Sequence, residues 1–149
     1  MANQYKDNHE ISRVNEVAVK YHATQENSYN LVHEAQNGIS VNAFFDLLAV
    51  SGLSKEELSS LLDVSFKTIQ RYQKEEKKLS ALNSEQILKM ITLYQKGEEV
   101  FGDIPSFDRW LRKNAHGLGS NIPLNFMQTS GGIDLIYEEL LRIEHGALA

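Results

Sequence analysis

From residue 29 to its end, this chain returns an apolar residue every three or four positions, and nowhere does it sustain an apolar–polar alternation. A period near 3.6 gathers those residues on one face of an α-helix, whereas a half-buried strand needs a period of two. The pattern therefore dictates an all-α fold of about seven helices. At 149 residues with 42% apolar content, the chain has enough material for one ordinary domain or two very small ones.

The helices can be read off in order. Residues 1–28 are polar, and Val14, Val17 and Tyr21 allow a short helix there as readily as a frayed arm. Leu31 and Val32 suggest a turn that stops near Gly38. Val41, Phe44, Phe45 and Leu48 form an apolar face, on a helix that Gly52 is expected to end in a left-handed conformation. Ser54 and Glu57 stand three apart, the spacing of a capping box. Leu58, Leu61 and Leu62 follow as the stripe of that helix. Asp63-Val64-Ser65 makes a turn, and Ser65 caps a helix with Ile69 and Tyr72 facing inward. Asn83 is read as the cap of the next helix, which carries Ile87, Met90, Ile91 and Tyr94 towards Gly102. Pro105 suits the first turn of a helix spanning residues 106–113, with Phe107, Trp110 and Leu111 as its apolar side. Residues 116–123 read as a loop, residues 124–127 as a short apolar piece, and residues 129–132 as a break. The last helix starts near Ile133 and aligns Ile136, Tyr137, Leu140 and Leu141.

Charge and composition narrow the function. The net charge is −5, which is unlike a strongly basic nucleic-acid binder, yet the charge is uneven. Residues 67–78 hold Lys67, Arg71, Lys74, Lys77 and Lys78 against only Glu75 and Glu76. With no cysteine, disulfides and zinc–thiolate sites are excluded. No apolar run reaches the roughly 18 residues that span a bilayer, and the N-terminus has no apolar signal core, so a cytoplasmic protein without membrane association is expected. The five histidines show no ligand spacing, and no nucleophile–base set stands out. The expectation is a non-enzyme with no catalytic residues, cofactor or metal site.

The strongest local constellation is Leu53 to Arg71, where a capped helix, a tight turn and a second capped helix make a helix-turn-helix. Leu58, Leu61 or Leu62, Val64 and Ile69 would be its buried positions. Ser65, Phe66, Lys67, Thr68, Gln70 and Arg71, with Lys74 one turn on, are the candidate DNA-binding residues. Arg71 or Lys67 can bond guanine O6 and N7, Gln70 can bond adenine N6 and N7, and Phe66 can touch a thymine methyl. A plain helical hairpin with a solvated basic face is the alternative. Asp63 sits where many such turns have glycine, and aspartate tolerates the left-handed region.

Residues 30–71 resemble the Xre-type helix-turn-helix domain of Xre/MbcA/ParS-like antitoxins. The tail resembles their toxin-binding domain through VFGD (100–103), Trp110-Leu111, LGSNIPLNFM (118–127), Thr129 with Gly132, and LLRIEHG (140–146), in order over about 120 residues with the domain before it. Lys67-Thr68-Ile69-Gln70-Arg71-Tyr72 replaces the family's frequent Arg-Thr-Leu-x-Arg-Arg. The resemblance implies an antitoxin that dimerises, binds a RES-type NAD-consuming toxin, obstructs its active-site cleft and represses its own operon at operator DNA. It divides the chain into an arm (1–37), an Xre-like domain (38–102) and a small helical toxin-binding domain (103–149).

The residues at the end of the chain agree with that reading. A terminal helix of about 13 residues, about 20 Å long, would present Tyr137, Leu141, Arg142, Glu144, His145, Gly146, Ala147, Leu148 and Ala149 to the toxin. A small apolar tail can enter a neighbour's groove. Equally, Arg142 and Glu144 can be merely solvated, with His145 at the helix end and Gly146 as its cap. The rival function is a helix-turn-helix transcriptional regulator whose C-terminal domain senses a ligand or dimerises. Trp110 reads as core, beside Phe107 and Leu111, more readily than as an interface hot spot.

Overall fold

The computed structural model describes residues 12–24 and 27–146. Those residues are all-α, in eight α-helices and two 3-10 segments. In chain order they are α1 (Arg13–Lys20), α2 (Ser28–Asn37), α3 (Asn42–Val50), α4 (Lys55–Leu62), α5 (Phe66–Lys74), α6 (Ala81–Phe101), α7 (Ile104–Leu111) and α8 (Ser130–Glu144). The 3-10 segments, His116–Leu118 and Pro123–Gln128, fall between α7 and α8.

The architecture is organised around α6, which α1, α2, α3, α7 and α8 all contact. Its sequence explains this position. Ile87, Leu88, Met90, Ile91, Leu93 and Tyr94 are all fully buried, so apolar groups surround the helix instead of forming a single stripe. Each such side chain contributes roughly 1.5–3 kcal/mol on burial. One apolar cluster runs from Val14 to Leu140, and residue 102 therefore falls at the end of a helix shared by both halves.

Capping follows the sequence at most starts. Ser54 and Glu57 form a complete capping box at α4. Asp63 adopts φ 54° and ψ 41°, the left-handed conformation, and ends α4. Ser65 Oγ accepts from the Thr68 amide at α5, and Asp103 does so from Ser106 at α7. Of the two alternatives around Val14 and Val17, a short helix or a frayed arm, the helix is present as α1, with both valines buried.

Five expectations are corrected. The turn expected at Leu31 is a ten-residue helix, α2, capped by Asn27. Gly52 is not left-handed; α3 ends before it, and a Cβ there would lie 2.4 Å from the Asp108 carboxyl carbon, so close packing requires the glycine. Asn83 does not cap α6. Ser80 does, and Asn83 sits one turn inside, where its side-chain amide donates to the Leu62 carbonyl. Helix α7 starts at Ile104, two residues earlier than expected, because Asp103 caps it. Finally, residues 129–132 start a helix and do not break one: Thr129 caps α8, which runs 15 residues from Ser130. Gly132 lies inside it because a Cβ there would meet the Phe126 carbonyl oxygen at 1.8 Å.

Candidate nucleic-acid interface and partner-binding segment

Helices α4 and α5 with the Asp63–Ser65 turn form the helix-turn-helix. Leu58, Leu61, Leu62 and Ile69 are buried, and Val64 is half-buried at the corner. With Ile69 facing the core, Lys67, Gln70, Arg71 and Lys74 are all exposed. Their spacing of three, four and seven puts them on one stripe of α5. Among the described residues, neither Lys67, Arg71 nor Lys74 forms an ion pair, although Arg71 lies 5.6 Å from the Tyr72 ring centre. Glu75, the nearest following acid, is paired with Lys77 at 2.8 Å, which holds its carboxyl below the ordinary range. Three cations outside any ion pair and an amide on one exposed face match what phosphates and base edges require.

The other three candidates on this element have structural work. Ser65 and Thr68 hydrogen-bond each other at the helix start. Phe66 is half-buried, 6.0 Å from the Phe44 ring and 6.2 Å from Phe45, with Lys55 Nζ 4.9 Å from its centre. It packs the recognition helix onto α3.

In α8, Ile133, Ile136, Glu139 and Leu140 are buried, while Tyr137 and Leu141 are half-buried. Arg142 is exposed and donates its Nε to buried Glu139 at 2.8 Å. Glu144 pairs with Lys96 of α6 at 2.6 Å, and this bond raises the lysine's affinity for its proton. His145 closes the helix by donating its amide to Leu141, and Gly146 takes φ 79°. Ala147, Leu148 and Ala149 lie outside the described residues. Trp110 is half-buried, its ring 5.5 Å from Phe101 and 6.1 Å from Phe107.

Two side chains that sequence reasoning missed, Arg112 and Gln86, join the two regions, and Asn83, expected only as a cap, adds a bond within the first. Arg112, just after α7, donates to both carboxylate oxygens of Glu57 on α4, to the Gly52 carbonyl and to Asp108. Buried Gln86 donates from one amide to Leu61 O at 3.2 Å and to Gln128 O at 2.8 Å. Asn83 satisfies Leu62 O at 2.9 Å. The last carbonyls of α4, which a helix leaves without partners, are thus bonded by α6, and Gln86 ties them to the segment that starts α8. Apart from Asp108, four residues before Arg112, the partners are 21 to 60 positions away, beyond the reach of local sequence signals.

A helix-turn-helix with an unpaired basic stripe, joined through a shared helix to a second helical segment, defines a DNA-binding regulator with an appended helical module. Residues 31–91 match the antitoxin Xre-like helix-turn-helix domain, and residues 96–146 match the antitoxin Xre/MbcA/ParS C-terminal toxin-binding domain. The chain belongs to the Xre/MbcA/ParS-type antitoxins. No curated protein matches it significantly. Among the described residues, no helix is long and apolar enough to cross a membrane.

Proposed function

We propose that the chain neutralises a RES-type, NAD-consuming toxin by obstructing its active site, and represses its own operon through α5. The observation that carries this reading is the order of the two domain matches on one helical body, with α8 ending in an exposed turn at His145-Gly146. Inhibition is steric: the tail occupies the substrate cleft, and this chain supplies no chemistry. Arg142 and Glu144 are already paired within the chain, so they hold the end of α8 in place, and the residues beyond Gly146 make the plug.

On DNA, Lys67, Arg71 and Lys74 neutralise phosphates or reach guanine, and Gln70 reads adenine. The chain works as a homodimer, with two α5 helices about 34 Å apart in successive major grooves. Because the protein is acidic overall, free antitoxin binds weakly, and an assembly with toxin presenting several helices binds more tightly through effective concentration. Co-expression with the RES-type protein of a neighbouring reading frame tests the reading. Growth arrest that this chain relieves supports it; arrest that persists refutes it.

A further inference from the structure

The toxin-binding match begins at residue 96, yet α8 does not present its surface alone. Beside it lies α2, and between them runs a groove of about 300 Å³ lined by Ser28, Leu31 and Val32 from α2 and by Asp134, Tyr137 and Glu138 from α8. Its floor is Glu85 and Lys89 of α6. The single ammonium, Lys89, is engaged by Glu85 at 3.6 Å and Asp134 at 2.8 Å. With Glu138, three carboxylates face one cation, so the groove is net negative.

Exposed apolar side chains lie on the two helices that line it. Val32 is 44% exposed, Leu135 (one turn before Glu138) is 47% exposed, and Tyr29 (one turn before Val32) is 77% exposed. Tyr29, Val32, His33 and Gln36 form an exposed stripe on α2 without a formal charge. Charge depletion with an aromatic residue and aliphatic neighbours is the composition of an interface centre.

From this we infer that the toxin interface extends from α8 across this groove onto α2, and that the toxin segment seated there is apolar with a Lys or Arg at its tip. Two observations select this occupant over a second copy of the chain. The groove is bounded by α8 of the toxin-binding segment, and its net negative lining would repel an identical lining but attracts a basic side chain. The inference rests on the toxin-neutralising reading above.

The experiment measures affinity of the full chain for the RES-type protein co-expressed from the neighbouring frame. Val32→Lys and Glu138→Lys are each expected to weaken binding at least tenfold. Tyr29→Ala, at a site too exposed to unfold the chain, is expected to weaken it several-fold. Operator affinity and the urea midpoint of each variant should match the parent. If these variants bind like the parent while a chain ending at Gly146 fails to bind, the α2 groove is not part of the interface although the tail is. If the parent itself fails to bind, the toxin-neutralising reading falls, and this inference with it. Should Val32→Lys instead change the mass of the chain alone in sedimentation, the face is a contact between copies, and the inference is overturned.

Discussion

Arg112 reaches back 55 residues to Glu57, placing one guanidinium N–H on each carboxylate oxygen at 2.6 and 3.0 Å. The same carboxylate accepts the Ser54 amide and closes the capping box of α4. One bidentate contact thus fixes the first helix of the DNA-binding element against the toxin-binding segment.

Arg112→Ala should therefore destabilise the protein by about 1 kcal/mol, discounted because both side chains remain about one-third exposed. Hydrogen bonding from Arg112, ahead of the Ser54 contacts, holds the Glu57 pKa down to about 2 from 4.5. A depressed carboxylate pKa stabilises the fold fully above its unfolded value, and that stabilisation is lost as pH falls through the folded value. Urea denaturation of parent and Arg112→Ala should differ near pH 6 and converge between pH 4.5 and about 2. A difference that stays constant over that window would show that the lost stability does not come from the ionised Glu57.

Lys67→Glu with Arg71→Glu should abolish operator binding in a gel shift and leave toxin affinity unchanged, because both side chains lie on the exposed face of α5 and hold no intramolecular ion pair. Lys74→Ala should weaken binding uniformly across sequences and reduce the salt slope by about 1. Phe66→Ala should fail differently, costing about 3 kcal/mol of stability, since its ring packs on Phe44 and Phe45.

Two adjacent glycines of α8 should respond with opposite signs. Gly132→Ala drives a methyl group into the Phe126 carbonyl and should lower stability by about 1–3 kcal/mol. Gly131→Ala meets nothing within 4 Å and should raise it by about 0.5 kcal/mol through lower unfolded-state entropy. Thermal melts of the two variants check this.

Gln86→Leu should cost about 2–4 kcal/mol, because it leaves the Leu61 and Gln128 carbonyls without their buried partner. Gln86→Glu restores only acceptors and should not rescue the urea midpoint.

What the sequence showed was what local physics controls. Helical periodicity gave the all-α class, the Ser54–Glu57 spacing gave the capping box, and the spacing of Lys67, Gln70, Arg71 and Lys74 gave their shared stripe. Contacts between distant segments stayed hidden. Glycine 52 and the Gly131-Gly132 pair read as terminators, yet Gly52 and Gly132 are set by approaches from Asp108 and the Phe126 carbonyl. Glu139, three residues before Arg142, was not picked out as its partner because only the fold shows that this acid is buried. Phe66 could be placed at the start of α5, but not packed against Phe44, from helical spacing alone.

The central claim is that the end of this chain closes another protein's active site. Titrating the purified chain into NAD turnover by the RES-type protein from the neighbouring frame tests it most directly. The full chain should extinguish turnover and a chain ending at Gly146 should leave it largely intact, with equal urea midpoints for both. Turnover that proceeds undiminished at saturating full-length chain would contradict it.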